Sequence, residues 1–284
     1  DMYAAANRPG FKAVPLKAKV SFDLRSTVSE KSSRNVVGYI PGTEAPEETV
    51  VYVAHWDHLG THEGEGDTIY NGAVDNATGV AGIIEIAEKF MAAPPRRSVV
   101  FLAVTLEESG LLGSKFYVAQ PAFPLEKTVA VINLDAMNVG GRARDVVVTG
   151  KGNSELEDIL LDHANTQQRV LVEEGNPAGG FYFRSDHFNF AKAGVPALYA
   201  KGGSDLREGG TEAGRAAAED YGRRYHQPGD EVHEGWRFDG IAEDLELLQA
   251  VGQELADGQA WPNWYEGNPF KAARDAQRAD QTRQ

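Results

Sequence analysis

Cysteine is absent from this 284-residue chain. That excludes disulfides and every thiolate metal site, and it leaves the redox compartment unmarked. Basic residues are scarce. The 28 Lys and Arg face 42 Asp and Glu, for a net charge of −14. The deficit argues against nucleic acid or an anionic membrane surface as a partner. It suits a protein that holds cations with carboxylates. Long apolar runs are missing too, since none approaches the ~18 residues that span a bilayer. No secretory leader is read. The chain opens on Asp1, which predicts that something upstream has been removed. No feature sets an oligomeric state.

What is present is ordinary globular material, 42% hydrophobic and 25% charged. A chain this long buries a large core without covalent staples. Residues 1–284 are read as one domain. Short apolar runs alternate with helical patterns. Asn35–Gly42, Thr49–Asp57, Ser98–Glu108 and Thr128–Asn138 read as strands, and "DVVVTG" and "VPALYA" as two more. Asp75–Ala93 reads as a helix, with Val80, Ile83, Ile84 and Ala87 at helical spacing and Pro94-Pro95 as its stop. "SGLLGSKFYVAQ", Ser154–Arg169, "SDHFNFAKAG" and Glu243–Gly258 read as further helices. This alternation predicts an α/β fold with a largely parallel sheet covered on both faces. Gly202–Tyr221 is long and polar and is expected to be a mobile loop. The charged tail from Phe270 is expected to fray.

Open α/β sheets bind ligands beyond the carboxyl ends of their strands. One strand ends in His55-Trp-Asp57. The next helix opens on Asp75. A second strand ends in Glu107-Glu108, a third in Asp135, and a later loop carries His226. Carboxylate oxygen and imidazole nitrogen are zinc ligands, and a shared carboxylate can bridge two ions. His55 and Asp135 suit one ion and Glu108 and His226 another, with Asp75 between them. Glu107 and Glu108 are neighbours on a strand and point apart unless the chain turns. One of the two is therefore better used as a general base. Asp57 is placed to accept the second imidazole N–H of His55 and orient the ring. The aromatic run "GGFYF" suggests an apolar substrate wall of Phe181 and Phe183. Arg184 stands beside it, and Arg223 and Arg224 lie further on. An arginine near the site would suit a terminal carboxylate.

The stretches "AHWDHLG", "YNGAVDNATGVAGIIEIA", "VTLEESGLLGSKFY", "VINLDAMN", "FRSDHFNFAKAGVPALY" and "YHQPGDE" resemble the co-catalytic zinc peptidases of family M28, in their secreted bacterial aminopeptidase branch. The resemblance covers roughly residues 35–258. It implies a three-layer α/β/α sandwich with a mixed, mostly parallel sheet, and an enzyme acting on peptides outside the cytoplasm. It implies two zinc ions held by His55, Asp75, Glu108, Asp135 and His226, with Asp75 bridging and Glu107 as the base. It implies a cis peptide at Asp75-Asn76 and a carbonyl-polarising role for Tyr182. Asp186 and His187 are read as supporting the site wall behind Ser185, a helix N-cap. Many relatives carry an inserted domain before the "NVVG" strand, so residues 1–19 are expected to be a remnant beside one. Rival readings are a carboxypeptidase of the same superfamily, a one-zinc glutaminyl cyclase and a metal-free binding module.

Overall fold

The computed structural model describes residues 1–281, in two compact units. The first, Asp1–Ser32, holds a short helix, α1 (Met2–Ala6), capped by the Asp1 carboxylate, followed by extended chain. The second begins at Ser33 and holds every other element.

Seven strands of the second unit form one sheet. They are β1 (Val36–Ile40), β2 (Ala45–His55), β5 (Arg97–Val104), β6 (Thr128–Asn133), β7 (Asp145–Val148), β8 (Val170–Glu173) and β9 (Ala197–Gly202). The order is β1-β5-β2-β6-β9-β7-β8. β1 and β7 run antiparallel to β5 and β9 respectively, and the other pairings are parallel. The sheet is therefore mixed and mostly parallel, as expected. A two-stranded ribbon, β3 (Gly60–Thr61) with β4 (Ile69–Tyr70), lies outside it.

Strand alternation sends β2 side chains to both faces. Val50, Tyr52 and Ala54 pack with residues of α2 (Thr78–Ala92), α4 (Leu156–Thr166) and α7 (Phe238–Asp257). Val51 and Val53 pack with Tyr117 of α3 (Leu112–Ala119) and Phe190 of α5 (His187–Lys192). The result is three layers, with the parallel strands buried on both sides. Tyr52 shows how closely the layers meet. It is fully buried, and its hydroxyl donates to the Leu248 carbonyl at 2.9 Å. A Cβ on Gly252 of α7 would overlap that hydroxyl. Alanine normally favours a helix over glycine by ~1 kcal/mol. Here overpacking costs ~1–3 kcal/mol and displaces a buried hydrogen bond worth ~1 kcal/mol. Gly252→Ala is therefore expected to lower stability by about 1–3 kcal/mol in urea unfolding, against the direction of helix propensity.

Two expectations fail here. Gly202–Tyr221 is not a loop throughout, because α6 (Gly210–Arg224) occupies much of it. The alanines of this segment favour helix and outweigh its glycines. The tail from Phe270 is helical as α8 (Lys271–Gln281). Arg274 anchors it, fully buried, donating to the Thr128 and Val129 carbonyls at 2.9 Å each. Residues 282–284, also read as tail, lie outside the described residues.

Candidate active site at the carboxyl ends of the strands

β2 delivers His55 at its last position, 1% exposed. Its Nδ1 lies 3.0 Å from the carbonyl oxygen of Asp57. A proton on Nδ1 donates to that carbonyl and leaves Nε2 with a free lone pair. The carboxylate of Asp57 was expected in this role, but it stands 3.8 Å from Nδ1. It accepts instead the backbone N–H groups of Glu107 and Glu108, at 3.0 and 3.3 Å. The turn after β2 brings the main-chain carbonyl to the ring first, so the side chain is free to fix the neighbouring strand end.

That strand end also departs from simple alternation. β5 stops at Val104, and Leu106 adopts a left-handed φ of 56°. The chain turns there, so Glu107 and Glu108 both line one cleft of about 780 Å³. Glu107 joins His55 and Asp135, with donor atoms within 4.8 Å of one another. Glu108 joins Asp75 and His58 in a second such group.

Asp75 sits in the turn before α2, and its peptide bond to Asn76 is cis, as the resemblance implied. The turn is pinned from two sides. Fully buried Asp230 accepts the N–H groups of Val74 and Asp75, each at 3.0 Å. The Asn76 amide donates to the Leu134 carbonyl at 2.9 Å and accepts from Gly79 and Ala136 at 2.9 and 3.2 Å. A Cβ on Gly79 would strike both that amide and the Leu134 carbonyl. Only glycine lets α2 start this close to the end of β6.

The two Asp75 oxygens then face different partners. Oδ1 lies 3.1 Å from His55 Nε2, which is also 3.5 Å from Asp135. Oδ2 lies 3.3 Å from His226 Nε2, which is also 3.1 Å from Glu108. His226 itself sits at a left-handed φ of 56°, a strained backbone of the kind found at functional sites.

The electrostatics call for positive charge. Burial opposes a charged His55 ring, but the close carboxylates of Asp135 and Asp75 outweigh it and lift its pKa to about 12. Burial also opposes ionisation of Asp135, yet His55 and Lys201 hold it down to about 2. Burial, and then the charge of Asp135, push Glu107 up to about 9. A cation among these carboxylates acts in the opposite direction on Glu107. His55 Nε2, His58 Nδ1 and Glu108 Oε1 are buried and lack a hydrogen-bond partner. Buried imidazole nitrogens and carboxylate oxygens without partners are a donor set that fits zinc.

His58 lies on the loop between β2 and β3. Its Nδ1 comes within 2.7 Å of Glu108 Oε1, although the direction does not make a hydrogen bond. Tyr182 departs from its expected place. It is 9% exposed, edge-on to His187 and packed beside Gly150. The single turn 181–183 points its flanking residues, Phe181 and Phe183, into the cleft instead, with Arg184. Tyr199, Tyr221 and Tyr225 are the phenols that line the cleft, and Tyr225 is stacked on His226 with ring centroids 3.9 Å apart. Arg223 and Arg224 are engaged by Asp220 at 2.9 Å each.

Ser185 does not cap its helix. Its hydroxyl donates to the Asp135 carboxylate and accepts from Asn133. Asp186 and His187 are fully buried beneath the site, Asp186 accepting from Ser114. Lys201 escaped sequence reasoning. Its ammonium donates to the Asp135 and Ala136 carbonyls at 3.1 and 2.7 Å. The only signal was its place on the last central strand.

Residues 35–242 match peptidase family M28. The chain belongs to that family. Among curated proteins, this M28 chain is 29% identical over 202 residues to a glutamate carboxypeptidase 2 homolog of Caenorhabditis elegans, covering 65% of this chain and 23% of the relative. It is 33% identical over 137 residues to the mouse (Mus musculus) aminopeptidase NAALADL1, covering 45% and 17%. It therefore spans about a quarter or less of these relatives. Among solved structures it is similar to BSAP, a zinc aminopeptidase from Bacillus subtilis. There the TM-score is 0.59 at 23% identity, covering 82% of this chain and 53% of that one. The Legionella pneumophila LapA aminopeptidase gives 0.57 at 20%, covering 80% and 55%. These likenesses establish the M28 chain's α/β fold. No helix among the described residues is long and apolar enough to cross a membrane.

Proposed function

We propose that this chain is a two-zinc exopeptidase that removes residues from the N-termini of peptides outside the cytoplasm. The observation that carries the reading is the division of the Asp75 oxygens between two donor groups. His55 and Asp135 would hold one ion and Glu108 and His226 the other, with Asp75 shared. Zinc held there would acidify water and polarise the scissile carbonyl. Glu107 takes a proton from the attacking water at a carboxylate oxygen and returns it to the leaving amine as the C–N bond breaks. Tyr225, which lines the cleft beside His226, would be the donor for the developing oxyanion. The acidic floor suits the α-ammonium of a substrate. Relatives include named aminopeptidases and a carboxypeptidase homolog, so the direction of trimming is the point to test.

The test is mass spectrometry of peptides with free and acetylated N-termini, with and without a chelator. Chelator-sensitive loss of single residues from free N-termini alone is expected. Trimming from the C-terminus moves the reading to a carboxypeptidase. No cleavage at all favours the cyclase or the binding module.

Two histidines reach the second group, and they are separable. His226→Ala is expected to lower bound zinc to one per chain. His58→Ala is expected to keep two and to lose activity by about 10–100-fold, as when a partner of a ligand is removed. Zinc analysis and kcat measured on both variants check this. The reverse pattern would make His58 the ligand.

A further inference from the structure

The cleft is not acidic throughout. Its floor carries the carboxylates, but its outer wall carries Lys115 of α3, Arg184 and Lys192 of α5. All three are exposed, and none has a carboxylate partner among the described residues. They stand in a chain with a net charge of −14. Some of its other cations are engaged, as Arg97 is by Glu48, Arg142 by Glu243 and Arg169 by Asp244. The bland reading is three solvated surface side chains. Two features weigh against it. The three converge on one concave site from two segments far apart in sequence, α3 and the stretch 184–192. Two of them are also held in place by rings: the Arg184 guanidinium lies 5.5 Å from the Phe181 centroid, and the Lys192 ammonium 4.8 Å from that of Phe188. A ring positions a cation without neutralising it.

We infer that this wall binds a carboxylate of the substrate. The inference rests on the exopeptidase reading and names its substrate class: peptides that present a negative charge a short way beyond the scissile bond. Two sources share that chemistry. One is the C-terminal carboxylate of a short peptide, and the other an acidic side chain at the second residue. The cleft, about 780 Å³, falls within the ~300–1,000 Å³ that takes a drug-sized ligand, so a peptide of a few residues fits. With the ammonium on the acidic floor and the carboxylate on the basic wall, both ends of a short peptide meet opposite charge.

The experiment compares kcat/KM for Leu-Gly-Gly, its C-terminal amide, Leu-Glu-Gly-amide and Leu-Gln-Gly-amide on the zinc-loaded protein. Leucine p-nitroanilide, which has no carboxylate, is the reference. Leu-Gly-Gly is expected to exceed its amide, or the Glu peptide the Gln peptide, by up to about fivefold, the upper range for an exposed charge pair. Which ratio moves identifies the source. The Arg184→Gln/Lys192→Gln double variant is expected to bring that ratio close to one. About 0.5 M NaCl is expected to do the same by screening. Equal rates for all four peptides, with the reference hydrolysed, overturn the inference and leave the exopeptidase reading standing. A ratio unchanged in the double variant overturns the assignment to this wall. Failure to hydrolyse even the reference overturns the exopeptidase reading and the inference with it.

Discussion

Glu107→Gln is expected to lower kcat by about 10²–10⁴-fold, the usual contribution of a general base, with bound zinc unchanged. The amide keeps the shape of the carboxylate. The contact that holds this strand end also survives, because Asp57 grips the main-chain N–H of Glu107 and not its side chain. What is lost is an oxygen that can accept a proton. The outcome separates two roles. Glu107 lies within ligand reach of His55 and Asp135. Loss of one zinc in the variant would make it a ligand. Retained zinc with lost turnover would make it the base, and retained turnover would place the base elsewhere.

Asp75→Asn is expected to remove both ions at once, with activity falling at least about a thousandfold, or roughly 4 kcal/mol of transition-state stabilisation. Each Asp75 oxygen faces a different histidine. An asparagine offers one oxygen, and no charge, where two groups need one each. The fold is expected to survive, since Asp230 holds the backbone N–H of Asp75 rather than its carboxylate. Thermal unfolding with and without zinc gives the readout. Ligand binding raises the stability of the native state, so the wild type is expected to gain a higher midpoint with zinc. The variant is expected to gain little. A variant that still binds two ions would remove Asp75 from the bridge.

The site was more legible in the sequence than the elements around it. His55, Glu108 and Asp135 could be grouped because strands in a parallel sheet end on one edge, whatever the exact strand boundaries, and Asp75 and His226 because they lie on a turn and a loop that can reach that edge. Position along the chain was enough. The turn that lets Glu107 and Glu108 both face the cleft was not visible, because it depends on the left-handed Leu106, and leucine gives no sign of such a φ. The swap at Asp57 between carbonyl and carboxylate, and the turn that buries Tyr182, are likewise matters of local backbone direction. Asp230, Ser185 and Lys201 support the site through contacts across long stretches of sequence, which no local pattern records. The helical segments misread as loop and tail fail for different reasons. In α6 helix propensity was undervalued against glycine content. In α8 the anchor is Arg274, a residue type that sequence reasoning places outside the core.

The most direct test of the two-ion site is a zinc titration of the chelator-stripped protein, with bound metal counted per chain and hydrolysis of leucine p-nitroanilide followed alongside. Two zinc ions per chain, both required for full turnover, are the expected result. Full turnover at one zinc per chain, with no second ion bound, would contradict the shared role of Asp75 and with it the reading of the cleft.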